Sequence, residues 1–108
     1  MSNLDEKVAI LIFGWKFIKD LGGGYWKLPD GSYAPGPEPY STDCKYVIPI
    51  MGALGKMGHH IFIRYDPLRP SKNWTVMFGI LGESIRRDTD NALLTLCEDA
   101  VACLKENE

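Results

Sequence analysis

The sequence predicts a mixed α+β domain in which helices pack on a small antiparallel sheet, in the order α-β-α-β-β-α. Three observations predict it. Apolar residues recur at helical spacing near both ends of the 108-residue chain. Residues 59–65 and 73–80 alternate in β-favouring side chains at the period of a strand. A glycine- and proline-rich stretch separates the first helix from the rest of the chain, holding four of the seven prolines, Pro29, Pro35, Pro37 and Pro39. A chain this short builds one core, so residues 1–108 form a single domain.

The first helix starts at Ser2 or Asn3, which can cap it, and carries Asp5 and Glu6 where the helix dipole favours acids. Leu4, Val8, Leu11, Ile12, Trp15 and Ile18 share one face, and Ile10, Phe13, Phe17 and Leu21 surround the rest. Such a helix is covered on more than one side, by the core or by a partner. Gly22, Gly23 and Gly24 are expected to stop it. They do not form a phosphate loop, because no Gly-Lys-Ser/Thr comes after them. Residues 25–28 suit a short strand, and Pro29, Asp30, Gly31 and Ser32 a turn. Residues 34–39 are too rich in proline for a helix or a central strand and should run extended over the surface.

Ser41, Thr42 and Asp43 are expected to open a second helix, with Tyr46, Val47, Ile50, Met51, Leu54 and Met57 at helical spacing. Pro49 predicts a kink or a late start, and Gly52, Gly55 and Gly58 weaken the helix. In the strand at 59–65, Ile61, Ile63 and Tyr65 alternate with His60, Phe62 and Arg64. In the strand at 73–80, Trp74, Val76, Phe78 and Ile80 share a face. The linker at 66–72 makes the pair an antiparallel hairpin. Residues 81–87 are ambiguous, with Ile85 a candidate for a third, edge strand. Asp88, Thr89 or Asp90 is expected to cap the last helix, which Leu93, Cys97, Ala100, Val101 and Leu104 line and Lys105 closes.

Charge is uneven behind a net −2. Residues 1–55 sum to −1 and residues 88–108 to −5, whereas residues 56–87 carry Lys56, Arg64, Arg69, Lys72, Arg86 and Arg87 against Asp66 and Glu83. Only that middle segment can attract an anion. No apolar run approaches the roughly 20 residues that span a bilayer, so no membrane partner is expected. The apolar segment at 8–13 lacks the basic flank and cleavage site of a secretory signal. Cys44, Cys97 and Cys103 fit no metal-binding spacing, even with His59 and His60, and read as reduced, buried thiols of a cytoplasmic protein.

Several motifs together resemble a known family. Leu4-Asp5-x-x-Val8 leads to Gly14-Trp15-Lys16; a Trp-Lys-x-Pro-Asp-Gly turn runs from Trp26 through Asp30 to Gly31; and Pro39-Tyr40-Ser41-Thr42-Asp43 precedes a helix. A hairpin and a leucine-rich helix behind Asp88-Thr89-Asp90 complete the set. Nearly the whole chain thus resembles the phage ABA sandwich domain, a family of small phage and prophage proteins. The resemblance implies a phage origin and a layered α/β/α fold. It supplies no activity and hence no catalytic residues. Trp15, Trp26 and Tyr40 are read from the residues themselves as core and loop anchors.

Catalysis is not expected. His59 and His60 are adjacent at a strand start and point to opposite faces, and no Ser or Cys sits in a nucleophile motif. No cofactor or metal is implied. The leading expectation is an accessory protein that binds a bacterial host protein, for host takeover or anti-defence inhibition, using spare apolar surface on the first helix and the stiff proline-rich segment at 34–39. A homo-oligomer would use up that surface. The alternative is nucleic-acid or nucleotide binding, with Arg64, Arg69, Lys72, Arg86 and Arg87 gathered on a basic hairpin and Trp74 or Phe62 offering a stacking face. That reading requires Arg64 to share an exposed face with the other arginines. A structural phage component is the third reading.

Overall fold

A computed structural model of the chain describes residues 3–20, 22–80 and 83–106. Ser2, Leu21 and Leu81, to which the sequence assigned a cap, a helix position and an ambiguous segment, lie outside the described residues. The elements are α1 (Asn3–Leu11), β1 (Lys16–Asp20), β2 (Gly23–Lys27), β3 (Tyr33–Ala34), a 3-10 turn (Cys44–Tyr46), α2 (Val47–Lys56), β4 (His60–Tyr65), β5 (Trp74–Ile80), β6 (Glu83–Thr89) and α3 (Ala92–Glu106). The expected order is present, with β1, β3 and β6 added to it. Two antiparallel sheets result, β1-β2-β3 and β4-β5-β6.

The first helix is shorter than the sequence suggests. It ends at Leu11, and Gly14 takes φ +75°, where only glycine is unstrained. The Ile12 and Phe13 N–H groups close back on the Val8 carbonyl, and the Trp15 N–H on that of Ala9. Residues 16–20 then form a strand. A stretch in which nearly every position is apolar satisfies the helix period and the strand period alike, so periodicity could not separate them. The three glycines therefore do not cap a helix; Gly23 and Gly24 open β2. Phe17 lies opposite Trp26, with ring centroids 5.2 Å apart, and its ring covers Gly24 so closely that a Cβ there would overlap it.

Residues 34–39 leave β3 without regular structure beyond Ala34, as a strap leading to the second helix. The Ser-Thr-Asp triplet at its end divides its tasks, and Asp43 alone caps, its Oδ1 accepting the Lys45 N–H at 3.1 Å. Ser41 is buried and donates both its N–H (2.8 Å) and its hydroxyl (2.6 Å) to Oδ1 of Asp5 in α1. The Thr42 N–H turns back on the Pro39 carbonyl. Pro49 is the third residue of α2, where its missing N–H would have had no helical partner. A late start, not a kink, accommodates it.

Helices pack on the β4-β5-β6 sheet. Val76 and Phe78 of β5, both fully buried, share one core with Ile50 and Leu54 of α2, Leu96, Cys97 and Ala100 of α3, and Val8 and Ala9 of α1; α3 packs on β5, α2 on β4, and α1 against α3. The last helix is capped by Asn91, whose Oδ1 accepts the Leu94 N–H at 3.1 Å. The three expected caps are engaged elsewhere. Asp88 takes the Thr75 hydroxyl, Asp90 the Lys72 N–H, and Thr89 the Asn91 N–H and the Thr95 hydroxyl. Ile85 does lie in a third strand, opposite Phe78.

Two measurements test this core. Ser41→Ala strips a bond from a buried carboxylate and is expected to lower the unfolding free energy in urea by about 1.5–3 kcal/mol, because hydrogen bonds to charged groups are the strong ones. Thr42→Ala, at an exposed site, is expected to change it by less than about 0.5 kcal/mol. Burial, then Asp5 and Glu98, push the Cys97 thiol pKa up to about 12. Cys44, expected to be buried, is exposed at the start of the 3-10 turn, so a thiol reagent at pH 8 should label it in the native protein and reach Cys97 only on unfolding.

Candidate functional site

Two surfaces present chemistry to solvent. The first is the β1-β2-β3 sheet, which stands out from the body as an arm. The molecule measures 54 × 29 × 21 Å with a radius of gyration of 15.2 Å, against about 13 Å for a compact chain of this length. An aromatic joint holds the arm. Trp15 at its root lies 6.4 Å from Trp26 and 6.3 Å from Tyr40, and Tyr40 stacks on Phe13 at 4.7 Å. Burial, then the charges of Glu38 and Tyr46, push the Tyr40 hydroxyl pKa up to about 12, so the ring stays neutral in the joint. At the β2-β3 turn Asp30 accepts the Ser32 N–H and hydroxyl, while Gly31 takes φ +92°.

Pairing register sorts the arm into two faces. Trp26, Phe17 and Ala34 lie on the side of the joint, where Phe17 remains 54% exposed. Lys16, Ile18, Tyr25, Lys27 and Tyr33 lie on the other. There the Tyr25 and Tyr33 rings meet edge to face at 5.2 Å, and Tyr33 is 61% exposed. Sequence reasoning missed this face because it placed residues 16–20 in a helix. Alternation of Lys16, Ile18 and Asp20 with Phe17 and Lys19 was the available signal.

The second surface is the side of β4-β5-β6 turned away from the helices. Phe62, Met77 and Arg86 form one row across the three strands, and Arg64, Thr75 and Asp88 the next. Phe62, Arg64 and Arg86 are exposed. The six basic and aromatic residues expected to gather here do not all do so. Arg69 reaches Asp88 at 3.2 Å and Asp66 at 3.6 Å. Lys72 sits at φ +50° in the loop and donates its backbone N–H to Asp90. Arg87 lies on the helix side, bonded to Asp99 at 2.7 Å and near Glu98 at 3.6 Å. Trp74 is also on the helix side, packed on Tyr65 at 4.8 Å and lining a mostly apolar cleft of about 390 Å³. The reason is strand parity. Arg86 and Arg87 are neighbours in a strand and must point to opposite faces.

Electrostatics obey this division. The Asp99 bond and charge hold the Arg87 pKa above its ordinary value. The Thr75 hydroxyl, then Arg69, hold the Asp88 carboxyl below the usual carboxylate range. His59 is buried flat against Phe78 at 4.9 Å, and its neighbour His60 is exposed. Among the described residues no group of three or more His, Cys, Asp or Glu side chains converges as metal ligands do, and no helix is long and apolar enough to cross a membrane.

Stability separates the structural arginine from the surface ones. Arg87→Ala leaves Asp99 buried and unpaired and is expected to cost about 1–3 kcal/mol in urea unfolding, below the full value for a buried pair because the guanidinium is half exposed. Arg64→Ala and Arg86→Ala are expected to stay within about 0.5 kcal/mol of the parent.

Comparison with known proteins adds a likeness to a solved fold. No protein-family model matches the chain, and no curated protein matches it. Its structure is similar to the crystal structure of a phage protein from Bacillus cereus ATCC 14579, with a TM-score of 0.66 and 17% sequence identity, over 94% of this chain and 95% of that one. At that identity the likeness is one of fold, over nearly the whole of both chains.

Proposed function

We propose that this chain is a small phage or prophage protein of the ABA sandwich kind, acting in the host cytoplasm by binding a bacterial host protein rather than by catalysis. Host takeover or inhibition of a defence system is the purpose this reading assigns to it. The fold likeness to the Bacillus cereus phage protein and the family motifs support the origin. The observation that carries the binding role is the arm. A separate three-stranded sheet, held by one aromatic joint, exposes Phe17 and Tyr33, with Tyr25 half-buried against Tyr33. Aromatic side chains give large contact area for few rotatable bonds, which is why they dominate binding hot spots.

The surface differs from the one the sequence suggested. The first helix keeps only part of its apolar area free: Val8 and Ala9, with Ile12 just beyond its end, are buried in the core, Ile10 is exposed, and Phe17 and Ile18 lie in β1 of the arm.

A second reading has an observation of its own. Arg64 and Arg86 share the open face of β4-β5-β6 with exposed Phe62, the arrangement that single-stranded nucleic acid requires of a stacking platform. The net charge of −2 weighs against it. Two phosphate contacts would give oligo-dT affinity a log–log salt slope of only about −1.4.

The tagged protein, incubated with host lysate before and after nuclease, tests both. One host protein kept through nuclease and lost in Tyr33→Ser is the expected result. Retention that ignores Tyr33→Ser overturns the arm as the contact. Retention that disappears with nuclease and with Arg64→Ala transfers the function to the open sheet face. A chain that retains only copies of itself makes it a self-assembling component.

A further inference from the structure

We infer that the cleft between Lys16 and Lys27 on the arm is an anion subsite that takes a carboxylate from an acidic segment of the partner protein. This inference rests on the reading of the arm as a protein-binding surface. Lys16 and Lys27 are directly opposite each other across β1 and β2. Like charges in that position oppose the pairing of the strands. Among the described residues no carboxylate lies within ion-pair distance of either ammonium. The acid of the adjoining turn, Asp30, is already engaged by the Ser32 N–H and hydroxyl.

The space between the lysines is shaped rather than flat. A cleft of about 240 Å³ is lined by Gly14, Lys16, Lys27, Leu28 and Pro29. Gly14 at φ +75° leaves one wall without a side chain, and no other residue holds that angle without strain. Lys27 in turn pairs with Tyr33, and a shallow, open hollow of about 420 Å³ is lined by Tyr25 and Tyr33. A row of two cations thus runs into an aromatic pair on one continuous strand face. An acidic residue followed by an apolar or proline residue fits that succession.

Charge complementarity favours a peptide over a nucleic acid. Two lysines offer few phosphate contacts for a chain whose net charge is −2. The tyrosine rings meet at 78°, so one ring edge closes off the other's face, whereas a base platform needs open faces.

The test is an amide-resolved NMR titration of the full chain with capped hexaglutamate and, separately, with oligo-dT. Hexaglutamate is expected to shift the Lys16, Lys27 and Tyr33 amides, less so as salt rises. The variant carrying Lys16→Gln and Lys27→Gln, checked for an unchanged urea midpoint, is expected to bind it about tenfold more weakly, the removal of two charge-assisted contacts. Unmoved amides at Lys16 and Lys27, or a tighter response there to oligo-dT, overturns the inference. The double variant is then taken to host lysate. If it keeps the partner that Tyr33→Ser loses, the anion subsite falls and the binding arm stands. If hexaglutamate binds but Tyr33→Ser loses nothing from lysate, the subsite stands and the arm's role in capture falls.

Discussion

Asp5 is a buried carboxylate on the first helix, and the Ser41 N–H and hydroxyl both end on one of its oxygens. Left alone in the core, such a group would cost several kcal/mol, so the folded state depends on the strap arriving with Ser41 in place. That arrival sets much else. Tyr40, one residue earlier, is drawn into the core, where its carbonyl receives the Cys97 thiol of α3 at 3.8 Å. Its ring then becomes the surface on which Phe13, Trp15 and Tyr46 pack. The helices, the strap and the arm meet at this one junction.

The junction explains how a chain of this size carries an outlying sheet. Three short strands alone would be marginal in water, since a sheet needs a packed face to persist. Trp26 supplies that face by lying against Trp15 and under Phe17. Gly24 makes room for the Phe17 ring, which shields the backbone of β2 from one side. The body covers only the Trp26 side of the arm, leaving the tyrosines and two lysines opposite it outward.

Charge is governed by the same pleat. The basic middle of the chain reads as one patch along the sequence, yet alternation in β6 sends Arg87 inward to Asp99 and Arg86 outward to solvent. Arg69 is drawn to Asp66 and Asp88. The acidic C-terminal helix thereby neutralises part of the basic segment, and a field that linear counting predicts is divided between two faces. Among the described residues, Lys16 and Lys27 of the arm meet no such acidic partner.

Much of this was legible from residue order because it rests on local physics. Period-2 alternation placed β4 and β5, the Pro-Asp-Gly-Ser signal placed the turn after β2, and the apolar stripe of Leu93, Cys97, Ala100 and Val101 placed α3. Residues 12–20 were not legible, since an apolar run suits helix and strand equally and the choice fell to pairing with β2, seen only in three dimensions. Caps were ambiguous for a related reason. Asp88, Thr89, Asp90 and Asn91 can all cap a helix, and the first three are withdrawn by partners up to eighteen residues away. The sequence by itself determined the fold class and which segments bury apolar area. Tertiary structure decided which polar groups were free to face a partner, because long-range hydrogen bonds and strand parity, not composition, leave a side chain engaged or exposed.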